Sequence, residues 1–321
     1  MAEISRLNPY LRKRFGRKVY KLSLNGGMTC PNRDGTLGTR GCIFCSAGGS
    51  GEFAASSFLP ISEQIKQAKT VIADKIKDPQ AGYIAYFQAF TNTYAEVGYL
   101  QGIFSEAILP EDIVALSIGT RPDCIDADIL ELLRTLNAKK PVFVELGLQT
   151  IHPHTADFIR RGYPLACFDT CVKQLHDAGI EVIVHLILGL PGERPEDMIA
   201  SIRHINTLPI SGVKLQLLHV LKNTDLADYY TSLYADNIPN SKESDDLFHI
   251  LTLEEYALLL KDCIEHLRPD IVIHRLTGDG AKSQLLAPLW SANKKHVLNY
   301  INQYFDNHSV IQGRRYHPYG N

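Results

Sequence analysis

Hydrophobic and polar positions along this chain follow two alternating rhythms. Short apolar stretches rich in β-branched and aromatic residues recur at Val19–Leu24, Tyr83–Phe87, Ile113–Ile118, Val142–Leu146, Glu181–Leu188, Val213–Val220 and Ile271–Arg275. These read as strands. Between them apolar residues return every three or four positions near Ser62–Ile76, Tyr94–Ile108, Asp126–Leu136, Thr155–Arg160, Phe168–Ala178, Pro195–Thr207 and Leu253–Leu267, the period of a helix with one buried face. Strands alternating with helices through short connections predict parallel strands with helical crossovers. Some ends are explicitly signalled: Phe168, Cys171, Val172 and Leu175 share one helix face and Gly179 follows as a stop, while Pro195 sits where a first helical turn tolerates it.

The first strand lacks a following Gly-x-Gly-x-x-Gly turn, which favours a barrel over a dinucleotide-binding open sheet. The expected fold class is α/β, a partial (β/α)6-type TIM barrel over residues 19–275, with a basic arm at 1–21 and an extension at 276–321. Two segments break the rhythm. Ala235–Asp246 is polar and reads as a loop, whereas Leu289, Trp290, Val297, Leu298, Ile301, Tyr304 and Phe305 suggest an amphipathic helix expected to cap the barrel.

With 321 residues and 45% hydrophobic content the chain can fill one barrel-sized core or two ordinary ones. Met1–Leu11 has no signal-type apolar run, and no stretch supplies the ~18 to 20 apolar residues of a membrane span. A soluble cytoplasmic protein is expected. The net charge of −2 hides a basic run, Arg6, Arg12, Lys13, Arg14, Arg17, Lys18 and Lys21 against Glu3, interleaved with Tyr10, Phe15 and Tyr20. It suits either a phosphate backbone or a solvated arm.

Seven cysteines are an odd number for a disulfide framework, and three crowd into the loop 28–51: Cys30, Cys42 and Cys45. They follow the first strand, so they fall at the strand C-terminal ends, where barrel chemistry resides. In a reducing compartment such clustering points to metal. Three thiolates without a fourth local ligand suit a [4Fe-4S] cluster whose fourth iron stays open. A methionine moiety can chelate that iron, and reductive cleavage of its sulfonium yields an adenosyl radical that a closed barrel protects. Zinc is the alternative: no histidine precedes His152, so a local Cys₃His site cannot be written, but a remote ligand such as Cys124 could complete one.

The motifs MTCPNRDG (28–35), YFQAFTNTYA (86–95), SIGTRPD (117–123), ELGLQT (145–150), HLILGLPGE (185–193) and HRLTGD (274–279) together resemble the radical S-adenosylmethionine (SAM) superfamily. The resemblance is specifically to its Elongator-catalytic-subunit-like branch, which contains the YtqA/YhcC group, and covers nearly the whole chain. One departure is the eleven residues between Cys30 and Cys42, where the superfamily commonly has three. It leaves the fold of Pro31–Gly41 open.

The resemblance implies a [4Fe-4S] cluster on Cys30, Cys42 and Cys45 with SAM on its open iron. It implies Phe44 on the adenine edge, Gln88, Thr91, Asn92 and Thr93 around the methionine amino group, and Ser117, Gln149, Arg161 and His185 as further cofactor contacts. Each has a plainer reading: Thr93 as a helix cap, Arg161 answering a helix dipole, His185 as a satisfied core histidine. Lys214 and Gln216 share one face of the sixth strand, where buried polar groups are costly unless they serve a ligand. With His219 and Arg275 they are the substrate-side candidates, although Arg275 could instead pair with Asp279.

The resemblance also implies an RNA substrate, a modified wobble uridine of tRNA attacked at its C5 side chain, and an electron donor such as a flavodoxin or ferredoxin. The basic N-terminus and GRRYHPY (313–319) fit phosphate and stacking contacts. Two other readings stand beside it: a radical enzyme acting on a small molecule or tetrapyrrole, and a non-catalytic tRNA-binding protein with a structural metal.

Overall fold

A computed structural model describes residues 2–49, 51, 54–235, 248–278, 280 and 282–318. One parallel sheet runs β1 (Val19–Leu24), β2 (Gly82–Phe87), β3 (Ile113–Thr120), β4 (Val142–Gln149), β5 (Glu181–Leu188), β6 (Gly212–Leu217) and β8 (Val272–Arg275), neighbours in space as in sequence. The sheet curls into a half-barrel. The crossovers are helical: α2 (Ile61–Ile72), α3 (Val97–Ile108), α4 (Ala127–Asn137), α5 (Pro153–Phe158), α6 (Leu165–Asp177), α7 (Pro195–Asn206), α8 (Asp225–Ala235) and α9 (Leu253–His266). The stretch expected as one strand, Val213–Val220, breaks at Leu218 and His219, and its end becomes β7 (Val220–Leu221), paired antiparallel with β9 (Leu285–Ala287).

Side chains alternate across each strand, and the two faces have different fates. Outward-facing Leu22, Leu24, Ala85, Phe87, Leu116, Val144, Val184, Val213 and Leu215 join Leu100, Phe104, Leu133, Phe168, Val172, Ile202 and Leu260 of the helices in the main core. Burial of each of the larger side chains is worth about 1.5–3 kcal/mol. The α6 stop is as expected, since Gly179 adopts φ +73° and donates to the His176 carbonyl at 2.8 Å. Pro195 opens α7, and the Asp197 carboxylate accepts from the Arg194 backbone N–H at 2.9 Å.

The N-terminal run is not a solvated arm. Leu7–Phe15 forms helix α1, whose Leu7, Leu11 and Phe15 join Val19, Ile84, Ala115, Phe143 and Ile183 in a plug at the strand N-terminal end. Leu11 at helical spacing from Leu7 and Phe15 carries that signal, masked by the charges between. Arg14 pairs with Glu181, the first residue of β5, and its guanidinium lies over Phe143.

The C-terminal helix α10 (Lys294–Asn307) joins the outer layer instead of capping the barrel, because Val297, Ile301 and Phe305 pack into the main core beside α9. Arg314 and Arg315 turn to Glu265, with Arg315 also on Asp262, so acids of α9 already neutralise this pair. Of the polar stretch Ala235–Asp246, Ala235 ends α8 and the rest lies outside the described residues, as does Asp279. No helix among the described residues is long and apolar enough to cross a membrane.

Candidate active site

The inward strand faces stack in three layers. At the bottom lies the apolar plug. One step up, Lys21 of β1, Tyr86 of β2, Ser117 of β3, Glu145 of β4, His185 of β5 and Lys214 of β6 form a charged layer. Above it a cavity of about 490 Å³ opens among Ser23, Gln88, Gly119, Gly147, Gln149, Ile187, Gln216 and the loops beyond.

Glu145 is the hub. One carboxylate oxygen accepts from Lys21 and from Ser117 (2.8 Å), the other from Lys214 and from His185 Nε2 (2.9 Å). Lys21 and Lys214 stand 4.5 and 4.8 Å from the Tyr86 ring centre, and Lys214 also donates to the Tyr86 hydroxyl at 3.1 Å. Burial alone would raise the Glu145 carboxyl, but Lys21 and Lys214 override it and hold it well below the usual range. Burial lowers Lys214 to about 7 against the pull of Glu145, and burial together with Lys214 lowers His185 to about 4.

Cys30, Cys42 and Cys45 all line this cavity, with Phe44 between the last two. Their loop is anchored on several sides. Asp225 at the start of α8 takes ion pairs from Arg40 of the loop and Arg160 after α5, while Leu226 N–H donates to the Ile43 carbonyl at 2.9 Å. Asn32 donates to the Cys42 sulfur (3.4 Å) and the Arg160 carbonyl (2.7 Å). Arg33 donates to the Cys45 and Ser46 carbonyls at 2.9 and 2.7 Å. Gly49 at φ +60° lies so close to the Phe90 ring that a Cβ there would fall 2.3 Å from it. Pro31–Gly41 thus folds as a tethered turn beside the thiols, with Gly41 N–H on the Asn32 carbonyl at 2.7 Å.

Of the residues expected at a site, the cavity gathers Cys30, Cys42, Cys45, Phe44, Gln88, Thr91, Gln149, His185, Lys214, Gln216, His219 and Arg275. Four stand outside its lining. Asn92 donates to the Gly119 carbonyl (2.7 Å), and Thr93 shares a bond with Thr120 (2.6 Å) and donates to the Cys124 carbonyl (2.5 Å). Neither caps a helix, since α3 begins after Glu96. Ser117 is spent on Glu145, and Arg161 is buried with its guanidinium on the Leu148, Thr150 and Tyr163 carbonyls. Arg161 therefore fastens the end of β4 to the loop after α5. Sequence reasoning missed Lys21, Tyr86 and Glu145; Lys21 was counted with the basic arm, although its period-2 spacing from Val19 and Ser23 marks the inward face.

Two residues of the lining, Phe90 (φ 57°) and Gln149 (φ 62°), hold backbone conformations that favour glycine. At Gln149 a register shift between Gly147 and Gln149 re-aims the side chain at the end of β4.

The donor set fits an iron–sulfur cluster better than one ion. Three thiols, the ligand type such clusters take, line one cavity. A cubane meets its ligands at separate corners, so its thiolates stand wider apart than those around one zinc. Cys124, the remote fourth ligand considered for zinc, lines a different cavity with Pro31, Thr93 and Tyr94. Burial first, then repulsion from Cys45, pushes the Cys42 thiol up to about 11.

Comparison with known proteins agrees with this geometry. The chain matches the family described as the Radical SAM superfamily over residues 35–205 and the Radical_SAM C-terminal domain over residues 210–307. It is 40% identical over 308 residues to the uncharacterized protein YtqA of Bacillus subtilis, covering 96% of this chain and 91% of that one. It is 34% identical over 301 residues to protein YhcC of Escherichia coli, covering 94% and 91%. A shorter match, 33% identical over 121 residues, covers 36% of this chain and 22% of the tRNA uridine(34) acetyltransferase of Methanocaldococcus jannaschii. The fold is similar to that of Elp3 of Methanocaldococcus infernus with its N-terminus deleted (TM-score 0.67, 16% identity), covering 91% of this chain and 63% of that one. The chain belongs to the radical SAM superfamily, whose enzymes use a [4Fe-4S] cluster and SAM.

Proposed function

We propose that this protein is a radical SAM enzyme that modifies the C5 side chain of a tRNA wobble uridine, with residues 19–275 as its catalytic half-barrel and 28–51 as its cluster loop. The observation that carries the enzymatic part is the meeting of three thiols and a charged floor in one cavity toward the C-terminal ends of parallel strands. When bound, the cluster supplies the electron that cleaves SAM reductively to a 5′-deoxyadenosyl radical.

The chain's own groups prepare that event. Cys30, Cys42 and Cys45 would hold the cluster, and Asn32 gives the Cys42 sulfur an N–H donor. Phe44 offers a ring to an adenine edge, and Gln88, Thr91 and Gln149 offer amide and hydroxyl groups to the cofactor's polar ends. The apolar wall of Ile187, Leu217, Leu218 and Leu221 excludes water from the opposite side. Lys214, Gln216 and Arg275 line the cavity from β6 and β8, with His219 just past the end of β6, and these are the groups a substrate would meet.

The tRNA assignment rests on the relatives, the partial match to an enzyme named for uridine 34 of tRNA and the fold likeness to Elp3. The basic segments do not add to it, because α1 sits at the far end of the barrel and Arg314 and Arg315 are paired with acids. Their placement favours the second reading, a small-molecule substrate. Mass spectrometry of tRNA nucleosides from a strain lacking this protein separates the two. The tRNA reading expects one wobble nucleoside to vanish and a precursor to accumulate; an unchanged profile selects the small molecule.

A further inference from the structure

The charged layer under the cavity has more donors than its one acid can serve. Glu145 already accepts four bonds, from Lys21, Ser117, Lys214 and His185, which fills the lone-pair positions of a carboxylate. Two ammonium groups bring six N–H donors between them. One from each goes to Glu145 and one of Lys214 to the Tyr86 hydroxyl.

Charge points the same way. Among the described residues lining the cavity, Glu145 is the only carboxylate beside Lys21 and Lys214, and it pairs with both. Lys214 is 4% exposed and Lys21 20%, so two amines face one carboxylate where water screens them poorly; burial already makes Lys214 easier to deprotonate, and an anion beside it would hold its proton in place. A neutral carbonyl would take up the spare N–H groups without holding that proton. An oxyanion answers both.

Depth restricts what can bring it. Lys21 and Tyr86 lie two residues down their strands from Ser23 and Gln88, and Lys214 two below Gln216, a drop of about 6.6 Å at 3.3 Å per residue. Only the innermost end of a ligand filling the cavity reaches that far. We propose that Lys21 and Lys214, flanking Tyr86 beside Glu145, form a subsite for an oxyanion, a carboxylate or phosphate carried at the inner tip of the substrate. The proposal rests on the reading that the inner cavity faces substrate, and it deepens that reading by naming the charge the substrate carries there.

The test uses the anaerobically reconstituted holoenzyme, because a ligand that binds only the folded state raises its thermal midpoint. Acetate and inorganic phosphate are titrated at constant ionic strength against their uncharged counterparts, acetamide and trimethyl phosphate. The proposal expects a midpoint that climbs with an acid and stays flat with its neutral partner, and the better acid identifies the source. Lys21→Gln should weaken the response about tenfold, the loss of one charge-assisted bond, and Lys21→Arg should restore it. Equal responses to acid and neutral probe, or none to either, overturn the proposal. So does a response that saturating SAM abolishes, which would give the floor to the cofactor's own carboxylate. Formation of 5′-deoxyadenosine by the reduced holoenzyme is followed separately. Its absence would count against the enzymatic reading and leave the anion titration to be judged alone.

Discussion

The side-chain amide of Asn32 spans 3.4 Å to the Cys42 sulfur and 2.7 Å to the Arg160 carbonyl, joining the cysteine loop to the segment after α5. A hydrogen bond to a ligating sulfur stabilises the more negative, reduced cluster. Asn32→Ala should therefore lower the midpoint potential of the reconstituted cluster by tens of mV, about 1 kcal/mol for one electron. Redox titration followed by electron paramagnetic resonance checks it; an unchanged or raised potential contradicts it.

His185 and Glu145 together make the fold sensitive to mild acid. The folded-state value of His185, about 4, lies below its ordinary 6.5, held down by burial and by Lys214, with Arg275 adding repulsion and Glu145 opposing. Between these values the unfolded chain binds the proton first, so this contribution is present above pH 6.5 and is lost as pH falls toward 4. Glu145, held low by Lys21 and Lys214, loses its contribution in the same direction below its ordinary 4.5. Denaturant unfolding should show stability dropping from pH 6.5 to 4, and His185→Gln should flatten the upper part of that slope. A slope unaffected by the substitution would place the acid sensitivity elsewhere.

Gln149 combines a left-handed backbone with a side chain in the cavity wall. Gln149→Gly removes the backbone cost, of order 1 kcal/mol, together with a polar group in the cavity wall. The thermal midpoint should hold or rise while SAM affinity falls severalfold. Calorimetric titration of SAM into the holoenzyme measures the second effect, and undiminished affinity would dismiss Gln149 as a contact.

Arg315 shares Glu265 with Arg314 and Lys261, and the Glu265 side chain is 1% exposed. Arg315→Ala should destabilise the chain by about 1–2 kcal/mol, since it strips a partner from a buried carboxylate. The salt dependence of any tRNA binding should keep its slope, because a residue already paired within the protein releases no counterions on the RNA. A reduced slope would return this segment to the RNA interface.

How much of this was legible depends on the strength of the pattern. The strands expected at Val19–Leu24 and Glu181–Leu188 match their observed bounds, because apolar residues recur at alternate positions and pack one face into the main core. Helix α1 was hidden by its charges, as only Leu11 on its inner face is fully buried. The three cysteines were readable from spacing. The charged floor was not, since Lys21, Glu145, His185 and Lys214 come from four strands spread over nearly two hundred residues, and only the curl of the sheet makes them neighbours. Lys214 and Gln216 were found because period-2 alternation placed them inside; the same test applied to Lys21 and Glu145 would have completed the layer.

Cys30, Cys42 and Cys45, on the proposal above, anchor a cubane that delivers an electron to SAM. Iron and acid-labile sulfide should be counted in the anaerobically reconstituted chain, with 5′-deoxyadenosine formation under reducing conditions measured on the same samples. About four irons and four sulfides per chain, turnover of SAM, and loss of both in each single Cys→Ala variant are the predicted result. One tetrahedral zinc per chain, with no 5′-deoxyadenosine, would contradict it.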